Sequence, residues 1–190
     1  MARTREFDDE TVVRAARDVF WEHGYGAASL ALLQAATGLS KSSMYETYGS
    51  KRGLFERAAQ SYLREIAEPM LIAMEADGSG KQELADYFLT LAATIRASPP
   101  HAAKRGCLMI NTAMELDDLD AQATQMVHSW RHRVREAIFQ SLKPIGSVRD
   151  RAATADLLTA SHIGLLVTAR IDPPEAATFA EALAADIRSW

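Results

Sequence analysis

"GLSKSSMYETYGSKRGLF", Gly38 to Phe55, holds two tyrosines, two lysines, an arginine and four serines within eighteen residues. A core helix would repeat apolar side chains at three- and four-residue intervals, and few stand here. The stretch reads instead as a surface of hydroxyls and positive charge. Gly38 and Gly49 cut it into short pieces, and Ser40 and Ser50 are residues that begin helices by accepting backbone N–H groups.

Outward from this stretch, every periodic signal is helical. Upstream, Val12, Val13, Ala16, Val19 and Phe20 follow the 3.6-residue period within Asp9–His23, and Gly24 stops that helix. Ser29 caps a short helix, Leu30–Thr37, which ends at Gly38. Downstream, a helix opened by Ser50 should run to about Glu75, with Pro69 loosening its ladder. "ADGSG", Ala76–Gly80, is the clearest linker. Helices are then expected near 81–97, 104–116, 120–142, 148–170 and 175–189, broken by "SPPH", "KPIGS" and "DPP". The expectation is an all-α chain of about nine helices. Its divisions are a DNA-binding domain at 1–49, a linking helix and linker at 50–80, and a C-terminal helical domain at 81–190.

Two short helices joined by a glycine-containing turn, 30–37 and 40–48, form a helix-turn-helix. The second helix of such a unit enters the major groove with its N-terminal residues, here Ser40, Lys41, Ser42 and Ser43, against base edges. Tyr45 and Tyr48 share a face, so their rings can pack while their hydroxyls reach phosphate. Lys51 and Arg52 open the next helix, where dipole and side-chain charge both attract an anion. A net charge of −4 over 190 residues does not oppose this reading, because the acidic excess lies beyond residue 57. Residues 1–57 are balanced, with eight basic and eight acidic side chains.

The polar N-terminus lacks a signal-peptide profile, and the run Ile163–Ala169 falls far short of the roughly 20 residues that span a bilayer. The lone Cys107 allows no internal disulfide. These features point to a soluble cytoplasmic protein with no membrane partner and no cofactor. An enzyme is the rival class, but no Gly-x-Ser-x-Gly, Gly-x-Gly-x-x-Gly, phosphate-binding loop or Glu-x-x-His stands in the chain.

Residues 10–55 closely resemble the DNA-binding domain of the tetracycline-repressor (TetR) family, in "VVRAARDVFWEHGY" (12–25), Ser29, "AATGLSKSSMY" (35–45) and "YGSKRGLF" (48–55). Gln34 and Leu32 depart from that family's commonest pattern. The resemblance implies base contacts from Lys41, Ser42 and Ser43, and phosphate contacts from Ser29, Tyr45, Tyr48 and Lys51. It places Arg3 or Arg5 in the minor groove. It further implies a homodimer on a pseudo-palindromic double-stranded DNA operator, released when a small-molecule effector pivots the linking helix. A ligand-independent DNA-binding structural or division-control protein on the same fold is the alternative.

In the second half, Tyr87, Phe88, Met109, Asn111, Met114, Met126, Trp130 and His162 combine bulk with sparse polarity, as an adaptable apolar pocket would; each also suits an ordinary core. Cys107 is expected in the first turn of a helix, after Lys104 and Arg105, a setting that lowers a thiol pKa. "GCL…N…E" there also resembles a TetR subgroup in which some members sense electrophiles or oxidants; a small buried hydrophobe is the plainer reading. His128 and His132, with Glu136 a turn on, have metal-ligand spacing, but the interleaved Arg131, Arg133 and Arg135 suggest a solvated face and no metal. The helix around Leu157–Ala169 is apolar nearly all round, so it and its successor could bury one face inside and another against a second copy, through Leu158, Leu165, Phe179 and Leu183.

Overall fold

Pro69 sets the first departure from expectation. In the computed structural model, which describes residues 8–190, the long helix expected over 50–75 is broken. α4 (Lys51–Tyr62) passes into a π turn, Leu63–Ala67, then a 3₁₀ turn, Glu68–Met70, and the four-residue α5 (Ile72–Glu75). Proline has no N–H to donate, and its ring excludes the carbonyl four residues back, so the ladder widens just ahead of it.

Before this, α1 (Asp9–Ala27) kinks at Gly24, whose φ of 79° only glycine adopts without strain. α2 (Leu30–Thr37) and α3 (Lys41–Tyr48) follow. Beyond α5 come α6 (Lys81–Ala97), α7 (Pro100–Ala103) and α8 (Leu108–Ala113). A 3₁₀ turn at Leu116–Asp118 leads to α9 (Ala121–Leu142), α10 (Arg151–Ile171) and α11 (Pro173–Ser189). The described residues therefore form eleven α-helices rather than nine, the two additions being α5 and the turn of helix inside the "SPPH" break. The class is all-α, as the periodicity requires.

α1 packs across α4 and α2, α6 lies along α11, and α10 is held between α9 and α11. One hydrophobic cluster runs through all of them, from Ala16 in α1 to Ile187 in α11. Its front end is aromatic: the Phe20 and Phe55 rings meet edge-on at 5.2 Å, and Tyr25 sits edge-on to Phe55 at 5.3 Å. Beside it, Arg14 and Arg17 of α1 reach Glu65 in the π turn at 2.9 and 3.1 Å. Burial opposes the charge on Glu65, but hydrogen bonds from Arg14, Ser61 and Arg64 outweigh it and hold the carboxyl at about 2. The π turn is thus tied to the first helix by charge as well as by apolar packing.

Candidate nucleic-acid interface and the cavity behind it

The two short helices owe their ends to local chemistry. Ser29 accepts the Leu32 N–H and starts α2, and Gly38, at φ 70°, closes it. Ser40 accepts the Ser43 N–H at 3.1 Å and starts α3; its Oγ also lies 2.9 Å from the hydroxyls of Ser42 and Ser43. Leu33, Leu39 and Met44 are buried beneath, fixing the angle between the helices. Ser29, Ser40, Lys41, Ser42 and Tyr45 are exposed and Ser43 is half-buried, with the Lys41 ammonium 5.8 Å from the Tyr45 ring centre. The start of α3 is therefore an open helix N-terminus carrying hydroxyls and a cation.

Three neighbours expected to serve phosphate are used inside the protein instead. The Tyr48 hydroxyl donates to Asp9 at 2.7 Å, and burial, reinforced by that carboxylate, drives its pKa far up. The Lys51 ammonium donates to the Tyr25 carbonyl at 2.5 Å and lies 4.6 Å from the Tyr25 ring centre, with the Gly26 carbonyl at 3.4 Å; burial lowers its pKa. Arg52 pairs with Asp120 at 2.8 Å and Glu56 at 3.1 Å. The physical reason is the close approach of α4 to α3: a Cβ on Gly53 would stand 2.0 Å from the Tyr48 carbonyl. That approach sets the start of α4 against the end of α3, with Lys51 and Arg52 half-buried. Arg3 and Arg5 lie outside the described residues.

A joint that no sequence pattern announced connects this head to α8. Glu115 accepts the Tyr25 and Gly26 N–H groups at 3.1 and 2.7 Å, filling the notch that the Gly24 kink opens. A Cβ on Gly24 would fall 2.2 Å from its Oε1. Beside it, Arg105 pairs with Glu22 at 3.2 Å, and the Trp21 indole N–H donates to the Gly106 carbonyl at 3.1 Å. Asn111, expected in a pocket, spans this joint: its amide donates to the Arg105 carbonyl at 2.9 Å and, more weakly, to the Trp21 carbonyl at 3.4 Å.

Behind the joint lies a cavity of about 110 Å³, with Tyr62, Tyr87, Cys107, Trp130 and His162 among its lining residues. Among the described residues, no Asp, Glu, Lys or Arg lines it. The Tyr87 hydroxyl is 3.0 Å from His162 Nδ1, and burial lowers the imidazole to about 4, so the ring is neutral. Cys107 is buried, as its plainer reading expects, but it departs from the expected first turn of a helix and from a lowered thiol pKa. Gly106, at φ 63°, breaks the chain, so Cys107 is the extended residue preceding α8 rather than part of its first turn. It is buried, and that burial raises its thiol pKa against the Tyr62 hydroxyl and the Met109 and Ile110 amides.

A second cavity, of about 160 Å³, shares the Trp130 and His162 wall and adds Met109 and Met114. Phe88 and Met126 line neither cavity: Phe88 is fully buried against Tyr87, and Met126 packs on the core from outside. His128 and His132 are exposed, while Arg133 of the same helix pairs with Glu75 at 2.7 Å and Glu68 at 3.0 Å.

Leu158 and Leu165, expected to face a second copy, turn inward and are buried within the chain. The outer stripe of α10 is Leu157, Ala160, Gly164, Val167 and Ile171, offset from them by one or two residues and so turned about 100–160° around the helix. On α11, Phe179 is exposed and Leu183 half-buried.

Residues 12–58 match the family described as bacterial regulatory proteins, tetR family. The HTH-type transcriptional regulator YezE of Bacillus subtilis is 32% identical over 178 residues, covering 90% of each chain. The HTH-type transcriptional repressor ComR of Escherichia coli is 33% identical over 141 residues, 73% of this chain and 64% of the relative. Among solved structures, a cysteine-substituted form of the regulator CifR, complexed with a 26-base-pair operator, superposes over the full length of both chains with a TM-score of 0.72 and 26% identity.

Proposed function

The chain belongs to the TetR family of bacterial regulatory proteins and is a DNA-binding transcriptional regulator; from that premise we propose that it is a cytoplasmic, dimeric, effector-released repressor. The observation that carries the DNA half of this reading is the open start of α3, where Ser40, Lys41 and Ser42 stand exposed on a helix seated by Leu33, Leu39 and Met44. Relatives named as repressors and the operator-bound form of CifR support the same reading.

Two heads are needed for a pseudo-palindrome, at a separation of about 34–36 Å. The exposed apolar stripe of α10, with Phe179 of α11 beside it, supports a symmetric pairing of helix on helix. The cavity supports release by a small effector, with Tyr87 and His162 as its polar fixtures. Direct thiol sensing at Cys107 is the less supported trigger, since burial keeps the sulfur protonated and reagents reach it only through the cavity.

The test is fluorescence anisotropy of the purified protein on the DNA upstream of its own gene, across a salt series and before and after mild oxidant. Tight, salt-dependent binding that oxidant leaves intact is expected; binding no tighter than to scrambled DNA would reject the repressor reading. Release by oxidant that Cys107→Ser abolishes would restore the thiol as trigger.

A further inference from the structure

Trp21 belongs to α1, in the DNA-binding head, yet its indole forms part of the wall of the effector cavity. Resting on the reading of that cavity as the effector site, we infer that the effector is an uncharged, single-ring molecule with one hydrogen-bonding group, and that it touches the DNA head directly through Trp21.

The class of ligand follows from what the wall holds. Among the described residues no acid or base of fixed charge faces the space, so a carboxylate or ammonium would be desolvated with nothing to balance it. The polar side chains that line it are hydroxyls, an imidazole and a thiol, from Tyr62, Tyr87, Thr94, Ser98, His162 and Cys107, with Trp21 and Trp130 beside them. They suit an aromatic ring with a single donor or acceptor.

The contact with Trp21 follows from size. An apolar cavity of roughly 150 Å³ accepts one benzene ring. This one measures about 110 Å³, so part of its wall has to yield. Tyr87, Trp130 and His162 are buried, the last two between this cavity and the second one. Trp21 is half-buried at the edge, leaning on Tyr62 edge-on at 4.9 Å and held by its bond to the Gly106 carbonyl. Trp21 is the lining residue that α1 supplies at this edge, so a ring too large for the space presses directly on that indole. Its displacement acts on α1 itself, next to the Glu115 clamp.

The experiment uses the full chain labelled with 5-fluorotryptophan, whose three indoles give three ¹⁹F resonances, that of Trp21 being assigned with Trp21→Phe. Benzyl alcohol, benzoate and benzylammonium are titrated as probes, and operator binding of the same sample is read by anisotropy. Benzyl alcohol is expected to move the Trp21 resonance saturably, and the two charged probes to leave it unmoved at tenfold higher concentration. Bound operator is expected to weaken benzyl alcohol by at least about fivefold, since coupling between sites is reciprocal. An unmoved Trp21 resonance, a response confined to Trp130, or equal binding of the charged probes would overturn the inference. Failure of the unliganded sample to bind operator would instead reject the repressor reading, which the resonance titration does not depend on.

Discussion

His162 carries the sharpest consequence at the scale of one residue. Its folded pKa of about 4 lies below the ordinary 6.5, so between those values the unfolded chain binds a proton that the folded chain refuses. Stability contributed by the neutral ring is complete above pH 6.5 and is lost as pH falls toward 4, at up to roughly 1.4 kcal/mol per pH unit. Urea unfolding at pH 7, 6, 5 and 4 measures this, and His162→Gln is expected to flatten the profile between pH 6.5 and 4. Lys51 offers a contrast with Lys41. Lys51→Ala removes an inward hydrogen bond and is expected to cost about 1–2 kcal/mol in thermal unfolding, with the salt dependence of operator binding unchanged. Lys41→Ala is expected to leave unfolding alone and to weaken operator binding by about 1–3 kcal/mol. A reversed pattern would return Lys51 to the DNA surface.

Elements that depend on local chemistry were legible in the sequence. The starts of α2 and α3 follow from Ser29 and Ser40, their separation from Gly38, and the core face of α1 from its 3.6-residue repeat. The joints between elements were not, because their partners lie far apart in the chain. Tyr48 meets Asp9 across 39 residues, and Tyr25 meets Glu115 across 90. A tyrosine hydroxyl and a lysine in a basic stretch read the same whether they face phosphate or a neighbouring helix; the bonds of Tyr48 to Asp9 and of Lys51 to the Tyr25 carbonyl depend on α1, far away in the chain. Cys107 is buried, as the plainer reading has it, and only its place relative to the helix turns on one residue. The positive φ of Gly106 ends the preceding chain, so the helix begins one residue after the sulfur.

At the scale of the whole molecule, the apolar pattern of α10 does not by itself say which of its faces is turned outward. An all-round apolar helix has no stripe to read, and packing against α9 and α11 consumed Leu158 and Leu165. The outer stripe that remains has small residues, Ala160 and Gly164, at its middle and larger ones toward its ends, which allows two α10 helices to approach closely. Leu157→Glu, 69% exposed in the single chain, is expected to leave that chain folded while shifting it to a monomer in sedimentation velocity. Operator affinity should fall by at least about a hundredfold with it, since one head then binds alone. A dimer that survives this charge would place the interface elsewhere.

The notch at Gly24 binds two distant positions into one inherited unit. A methyl group at residue 24 would collide with Glu115 at 2.2 Å and would also force a non-glycine residue to φ 79°. Gly24→Ala should therefore cost about 1–3 kcal/mol in stability, and part of that loss should be recovered by the otherwise harmful Glu115→Ala. Additive losses in the double variant would show the two sites to be independent. If recovery is seen, the order in which such changes could accumulate is constrained: neither position drifts freely while the other stays as it is, and the lineage of this head is tied to that of the segment that follows α8.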